Sequence, residues 1–224
     1  PKLQPLLEEM DGATRVIRRG DPFSGFDVQV PLLSLPRILG TTLDTIPAQV
    51  PYLRANPKLI KAWKVKLERV RKQFKVGLAW AGSPINTKDN NRSCSLDMFG
   101  PLANVPGVTF YSLQKGSAAK QATKPPRGLT LIDRTAALNE FADTAALISN
   151  LDLVIAVDTA VAHLSGALGK PVWVLLPFAP DWRWLLGRYD SPWYPTTRLF
   201  RQPRPGDWAS LIQNVRAQLE QKQF

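Results

Sequence analysis

The amino-acid sequence predicts an α/β fold, a Rossmann-like, doubly wound parallel sheet with helices on both faces. The first observation is residues 151–177, LDLVIAVDTAVAHLSGALGKPVWVLLP, where an apolar strand, a polar turn, a short helix and a second apolar strand follow one another. Continuous apolar runs are typical of parallel strands covered on both faces, and this order gives a right-handed crossover. The second observation is a regular alternation of strands and helices from Asn56 onwards. Together they predict at least five parallel strands.

Apolar periodicity and terminating residues predict the elements in order. In the stretch 151–177, Val161, Leu164 and Leu168 share one helical face, and Gly169 ends that helix. A basic helix over 58–75 places its larger apolar residues mostly on one side: Leu59, Ile60, Trp63, Leu67, Val70 and Phe74. The remaining elements are strands at 75–82, 108–116 and 129–133, a short helix at 95–103, a helix at 139–150 and a closing helix at 210–221.

Residues 1–56 show a weaker α/β pattern. Short helices are predicted at 2–10 and 33–40, and short strands at 14–19 and 26–32. Because these strands are too few for a closed core, we expect residues 1–56 to be the end of an N-terminal Rossmann-like domain. Residues 57–224 would then form a C-terminal Rossmann-like domain. The alternative is an N-terminal extension packed on the main domain.

Composition narrows the functional class. The chain has 224 residues and a net charge of 29 − 18 = +11, which suits nucleic acid, an anionic surface or phosphorylated small molecules. Much of the excess lies in the helix 58–75, where a solvated helix face explains it, and no nucleic-acid-binding motif is present. We expect no membrane span, because no apolar run is long enough. The single cysteine, Cys94, suits a reducing cytosol, so we expect a cytoplasmic protein.

Polar loops follow three of the predicted strands and should meet at one edge of the sheet. They are residues 81–93, residues 114–116 and residues 158–163. The loops supply cations, backbone N–H groups at a helix start and polar side chains, which together suit a diphosphate. Asp158 and Thr159 could simply cap the following helix, and a lone histidine is more often packed than catalytic. The candidates are Lys88, Arg92, Lys115, Asp158, Thr159 and His163.

Several kinds of site are not indicated. The sequence has one histidine, no metal-ligand cluster, no P-loop and no G-x-G-x-x-G motif, so we expect no metal and no bound cofactor. Residues 177–208 are rich in aromatic side chains that could stack on a sugar or base, although core packing explains most of them. Asp181 and Arg183 follow the last predicted strand and are expected to face the cleft.

DTAVAHLSGALGKPVWVLLP, at 158–177, resembles the D-T-G-x-x-H-L-x-x-A-L-G-x-P signature of the family-nine glycosyltransferases, the ADP-heptose lipopolysaccharide heptosyltransferases. GLAWAGSP, NRS, SLQKG, SPWYPT and LFRQ extend the resemblance to the glycosyltransferase-like C-terminal region of bacterial tetratricopeptide-repeat proteins. O-linked N-acetylglucosamine transferases are more distant relatives. The resemblance covers nearly the whole chain and implies a GT-B fold, with this chain as its C-terminal half plus a partial N-terminal α/β segment.

The resemblance also implies site residues. Residues 88–93, including Ser93, and Lys115 would lie near the donor diphosphate, and residues 141–144 near the base or ribose. Asp158, Thr159, Ala160 and His163 would hold phosphate or sugar at the helix start. Ala160 departs from the glycine usual in heptosyltransferases. Their acceptor-activating carboxylate belongs to the first domain, so the catalytic residue of this chain is not assigned.

The leading hypothesis is an inverting, metal-independent glycosyltransferase domain that binds a nucleoside-diphosphate sugar. The alternative is a non-catalytic nucleotide-sugar-binding or scaffolding module of a tetratricopeptide-repeat protein, because this fragment lacks an obvious base. A nucleotide-sugar epimerase and a basic nucleic-acid binder rank lower. The expected partners are the nucleotide-sugar donor, a saccharide or protein acceptor, and a tetratricopeptide-repeat or N-terminal domain, with no nucleic acid.

Overall fold

The computed structural model describes residues 2–67, 73–87 and 89–221. In this part of the chain no helix is both long and apolar enough to cross a bilayer. The strands are β1 (Phe74–Ala79), β2 (Val108–Ser112), β3 (Leu131–Asp133), β4 (Leu153–Val157), β5 (Val172–Leu176) and β6 (Thr197–Arg201). The α-helices are α1 (Gln4–Leu7), α2 (Leu35–Ile38), α3 (Pro57–Leu67), α4 (Asp89–Arg92), α5 (Phe141–Ser149), α6 (Ala160–Ala167) and α7 (Trp208–Glu220). Short 3-10 helices cover Leu32–Ser34, Leu43–Thr45, Leu96–Asn104, Ser117–Thr123, Thr135–Ala137 and Trp182–Trp184.

The six strands form one sheet in the order β3-β2-β1-β4-β5-β6, and every pair of neighbours is parallel. In the register at its centre, Val76 of β1 pairs with Phe110 of β2 and Leu153 of β4. Because the chain crosses back to the middle after β3, the connections leave β1 and β4 in opposite directions. Such a switch point opens a crevice at the carboxyl ends of the strands, where ligands bind. The predicted Rossmann-like α/β fold is confirmed.

Alternate residues of the central strands enter two separate core layers. Val154 and Ala156 of β4 pack in the layer that holds α3, α5 and α6. Ile155 and Val157 pack in the opposite layer with α7 and the 3-10 helix Leu96–Asn104. All five residues of β4 and all five of β5 are buried, because helices cover both faces of the sheet. This explains why these strands are apolar at every position.

The N-terminal segment was predicted incorrectly in one respect. Residues 14–19 and 26–32 contain no strand in the structure, and Val28 is 87% exposed. A strand needs a neighbour to pair with, and these alternating apolar residues have none. The short helices are present as α1 and as Leu32–Ser34 with α2. That residues 1–56 are the end of a separate N-terminal domain stays a prediction.

Parts of this segment are anchored to the sheet domain. Leu6 of α1, Leu53 and Ala55 are buried in the core layer that contains α5 and α6. The backbone N–H groups of Tyr52 and Leu53 both donate to the carbonyl of Ala167, at the end of α6. The two ends of the segment therefore pack against the helices that flank the switch point.

The basic helix and the last strand differ from expectation. Asn56 Oδ1 accepts from the N–H of Lys58 at 2.9 Å, and α3 begins at Pro57, one residue before the predicted start. The helix was expected to reach residue 75, but Phe74 and Lys75 belong to β1, and residues 68–72 lie outside the described residues. β6 was missed, because its outer residues Arg198 and Arg201 interrupt the apolar pattern of an edge strand.

Cys94 is attached to the end of β1. Its N–H donates to the carbonyl of Trp80 at 2.9 Å, and its thiol lies 3.7 Å from the same oxygen. Burial raises the pKa of this thiol to about 12. The cysteine is therefore an unreactive packing residue.

Candidate functional site

The carboxyl ends of β1, β2 and β4 enclose a cavity of about 410 Å³ at the switch point. Each of the three loops predicted to meet there contributes to its wall, and the start of α5 closes one side. Most of the surface is apolar, with a few polar groups. The lining residues come from 79–84, 113–116, 138–144 and 159–161, together with Lys2 and Arg92.

Gln114 joins the first two loops across the floor of the cavity. Its side-chain oxygen accepts from the N–H groups of Trp80 and Ala81, at 2.9 and 2.8 Å. Its side-chain nitrogen donates to the carbonyls of Ala81 and Lys115, both at 2.9 Å. Because all four hydrogen bonds are made in a buried position, the amide holds the ends of β1 and β2 in one arrangement. It was not predicted as a site residue. The only available signal was a polar side chain directly after a buried strand.

Arg92 links the first loop to the start of α6. Its Nη1 donates to the carbonyl of Asp158 at 2.9 Å, and its Nε donates to Asp89 Oδ1 at 3.2 Å. A Cβ at Gly82 would collide with the side chains of Asp89 and Arg92, so glycine there lets these two side chains keep their positions. Ser93 accepts from the N–H of Gly82 at 2.8 Å and does not line the cavity. Lys88, also predicted here, lies outside the described residues.

Lys115 lines the opposite wall. Its ammonium group donates to the carbonyls of Thr135 and Leu138, both at 2.9 Å. The charge is therefore fixed at the edge of the cavity, because two of its three donors are already used. Arg92 and Lys115, which were predicted from separate loops, border the same space.

The start of α6 forms the third wall. Thr159, Ala160 and Val161 line the cavity. Thr159 occupies the N-cap position, but its hydroxyl makes no capping bond and is buried without a hydrogen-bond partner. The N–H groups of a first helical turn have no acceptor within their helix. A buried hydroxyl without a partner and the positive end of a helix dipole thus occur together beside the cavity.

Asp158 and His163 lie behind this wall and do not line the cavity. His163 Nε2 is 3.5 Å from Asp158 Oδ1, its Nδ1 is 3.1 Å from the hydroxyl of Tyr194, and its ring stacks on Trp184 at 5.2 Å. Burial alone would raise the pKa of Asp158. Hydrogen bonds from His163 and Trp184, together with the charges of His163 and Arg92, outweigh burial and lower that pKa. Burial raises the pKa of Tyr194.

The two partners of His163 constrain how its ring is hydrogen-bonded. An ionised Asp158 only accepts, so Nε2 of His163 carries the hydrogen that faces it. Tyr194 keeps its phenolic proton, and its hydroxyl lies 3.1 Å from Nδ1 of His163. Since a protein group faces each ring nitrogen, His163 acts on the helix start through Asp158 and not on the cavity directly. The contact with Tyr194 spans 31 residues, and sequence spacing gave no sign of it.

The aromatic segment separates into buried and exposed members. Trp184, Phe200 and Trp208 are core residues, as core packing predicted. Trp182 and Tyr189 are exposed. Among the described residues there is no group of three or more His, Cys, Asp or Glu side chains that could hold a metal ion.

Residues 118–176, from the 3-10 helix after β2 to the end of β5, match the model of one known family. It is glycosyltransferase family 9 (heptosyltransferase). The family 9 match includes β3, α5, β4 and α6, and hence two of the cavity walls. Protein FlbA of Caulobacter vibrioides is 31% identical over 184 residues, which cover 79% of this chain and 30% of FlbA.

Two solved structures support the same fold. E. coli ADP-heptose lps heptosyltransferase II has a TM-score of 0.53 and 13% identity, and the match covers 80% of this chain and 58% of that protein. The glycosyl transferase family 9 protein of Veillonella parvula has a TM-score of 0.52 and 13% identity, over 75% of this chain and 47% of that protein. The chain thus spans less than two thirds of each relative. At this identity the likeness shows the fold alone, an α/β Rossmann-like sheet domain.

Proposed function

We propose that the cavity binds a nucleoside-diphosphate sugar, with the diphosphate at the start of α6. The observation that carries this is the hydroxyl of Thr159, buried without a partner in the cavity wall beside the first turn of a helix. Leaving such a group unpaired is costly, and phosphate oxygens would pair it together with the helix N–H groups. Arg92 and Lys115 supply positive charge from the first and second loops.

The nucleoside is proposed to occupy the side of the cavity formed by the start of α5. Leu138, Phe141 and Thr144 line that side and offer an apolar surface for a base. Glu140 lines it too, and its carboxylate can accept hydrogen bonds from ribose hydroxyls. This extends the proposed ligand from α6 to α5 across the switch point.

The proposed reaction is glycosyl transfer with inversion and without a metal ion. The oxygen of an acceptor hydroxyl would form a bond to the anomeric carbon and lose its proton to solvent. The bond from that carbon to the diphosphate oxygen would break at the same time, and the diphosphate oxygen would take the bonding electrons. The N–H groups of α6, the Thr159 hydroxyl and the cations of Arg92 and Lys115 would stabilise the negative charge that develops there. The family 9 match supports sugar transfer as the class of reaction. The name of the E. coli neighbour suggests an ADP-sugar as the first donor to test.

A second candidate function is nucleotide-sugar binding without turnover, in a tetratricopeptide-repeat protein or another scaffold. Among the described cavity residues Glu140 is the one carboxylate, and it is proposed to accept hydrogen bonds from the ribose. Asp158 and His163 are paired with each other behind the wall. No general base is therefore positioned in the described cavity. Incubation with an ADP-, UDP- or GDP-sugar and quantification of the released nucleotide separates transfer or hydrolysis from binding alone.

The binding proposal is tested by calorimetry with ADP, UDP, GDP and their sugars, with and without a chelator. Thr159→Val removes the hydroxyl at constant shape and should weaken binding about tenfold, while thermal stability of the free protein rises. Thr197→Val is the matched control, because the Thr197 hydroxyl is also buried without a partner but lies in β6, away from the cavity. It should raise stability and leave binding unchanged. Equal affinities for the wild type and Thr159→Val would overturn the placement of the diphosphate.

A further inference from the structure

Trp182 is held on the surface of the turn that follows β5. The 3-10 helix Trp182–Trp184 places two indoles in opposite environments, with Trp182 62% exposed and Trp184 fully buried. Burying an indole removes a large apolar surface from water, so folding alone gives no reason to leave Trp182 outside. The turn lies at the carboxyl edge of the sheet, as the cavity does.

The turn is rigid around the exposed ring. Asp181 accepts from the N–H of Arg183 at 3.1 Å and from its Nη1 at 2.8 Å. The guanidinium of Arg183 lies 4.7 Å from the centre of the Trp182 ring. Trp193 meets that ring edge-on at 6.3 Å, and its indole N–H donates to the carbonyl of Arg183 at 2.9 Å. Trp182 therefore has a fixed orientation before any ligand arrives.

The residues at the base of the turn are also held in place, and one of them has an unfavourable backbone conformation. The carbonyl of Trp184 accepts from Nη2 of Arg201 at 2.6 Å, and the Trp184 ring stacks on His163 of α6. The next residue, Leu185, has φ 51°, in the left-handed region that non-glycine residues rarely adopt. Such strain persists where the surrounding structure enforces it, and it is concentrated at binding sites.

We propose that Trp182, with Asp181 and Arg183, is a binding platform for a neutral saccharide. The guanidinium of Arg183 lies over the Trp182 ring, but the indole is still 62% exposed and offers the C–H face of a sugar ring a flat apolar surface. The carboxylate of Asp181 and the guanidinium beside it suit the sugar hydroxyls. Because Asp181 and Arg183 neutralise each other, the platform has no net charge to attract a phosphate or a nucleotide. A neutral sugar is therefore the ligand that its chemistry fits.

The platform goes beyond the proposed function, since a free saccharide can bind here whether or not the cavity holds a nucleotide. Its link to glycosyl transfer does rest on that function. The Trp184–His163 stack joins the turn to α6, where the diphosphate is proposed to bind. In that setting the platform supplies a subsite for a saccharide acceptor.

The test uses the 224-residue chain and the methyl β-glycosides of glucose, galactose, mannose and N-acetylglucosamine. Saturation-transfer NMR identifies binding, and intrinsic tryptophan fluorescence gives the dissociation constant. At least one glycoside should bind, and Trp182→Ala should weaken it about fivefold or more. Trp182→Phe should restore most of the affinity, because an aromatic face remains.

Tyr189→Ala is the matched control, because Tyr189 is 82% exposed in the same segment. It should leave the affinity unchanged, and circular dichroism should show the same fold for all variants. Absence of binding to every glycoside, or equal affinities for the wild type and Trp182→Ala, overturns the platform. ADP binding, measured in parallel, distinguishes this failure from failure of the cavity proposal.

Discussion

The two helices that border the cavity begin in different ways. At α5, Glu140 and Asp143 form a capping box, and Asp143 also accepts from the N–H of Asn139 at 2.9 Å. At α6, the capping residue Thr159 makes no such bond. The start of α5 is therefore completed by its own side chains, whereas the start of α6 lacks a side-chain cap. The proposed diphosphate site at α6 depends on this difference.

The start of α5 is held by its caps, whereas α6 is held by packing and by contacts with residues distant in the sequence. Arg92 donates to the carbonyl of Asp158, just before the helix, and Gly166 lies against the ring of Tyr194. Loss of the packing of α6 should therefore lower folding stability most, loss of the cap of α5 less, and loss of the charge on Asp158 least.

Gly166→Ala should break the packing of α6. Alanine normally stabilises a helix relative to glycine. Here its Cβ would lie 2.5 Å from the Tyr194 ring, so the ring or the helix must move. We expect a loss of about 1–3 kcal/mol in the free energy of unfolding, measured by urea denaturation. Gly100→Ala is the control, since its Cβ would meet only Pro126, at 3.6 Å. A stabilised Gly166→Ala variant would contradict the close packing.

Asp143→Ala should break the cap of α5. The N–H groups of Asn139 and Glu140 would lose their acceptor, at a cost of about 1 kcal/mol, or a fall in Tm of about 2–4 °C. Nucleotide affinity should change little, because Asp143 does not line the cavity. An unchanged Tm would mean that the capping box contributes nothing to α5.

The smallest expected effect is the loss of folding stability at acid pH when Asp158, which precedes α6, is protonated. The pKa of Asp158 in the folded protein is below the usual value, which is about 3.9 in an unfolded chain. Ionised Asp158 therefore stabilises the folded state at higher pH, and this contribution is lost as the pH falls through the lowered pKa. Urea midpoints of the wild type and Asp158→Asn should differ by a constant amount above about pH 5 and converge below about pH 4. A difference that is independent of pH would contradict an ionised Asp158.

Sequence patterns predicted the centre of the fold better than its margins. β4 and β5 were recognisable because helices cover both faces and every position is apolar. β6 was missed because its arginines at 198 and 201 break that pattern, and the strands predicted at 14–19 and 26–32 lack a neighbour with which to pair. Strand partners are set by the tertiary fold, which local alternation does not specify.

For the site, the sequence predicted where the residues lie but not which hydrogen bonds they make. The ends of parallel strands indicated which loops meet, and Arg92, Lys115 and Thr159 do line one cavity. The sequence did not indicate which hydrogen bonds these groups already make, because their partners lie far away along the chain. The ammonium of Lys115 is held by carbonyls 20 and 23 residues away, and Arg92 by one 66 residues away. Their role in a reaction stays a prediction.

The partly buried thiol of Cys94 has a practical consequence for spectroscopy. It is the single cysteine of the chain, and its raised pKa leaves almost no thiolate at neutral pH. A second cysteine introduced at exposed Tyr189 would therefore react alone with a maleimide dye or a spin label. A single substitution thus places a reporter in the same aromatic segment as Trp182, where a change in its signal can follow saccharide titrations in real time.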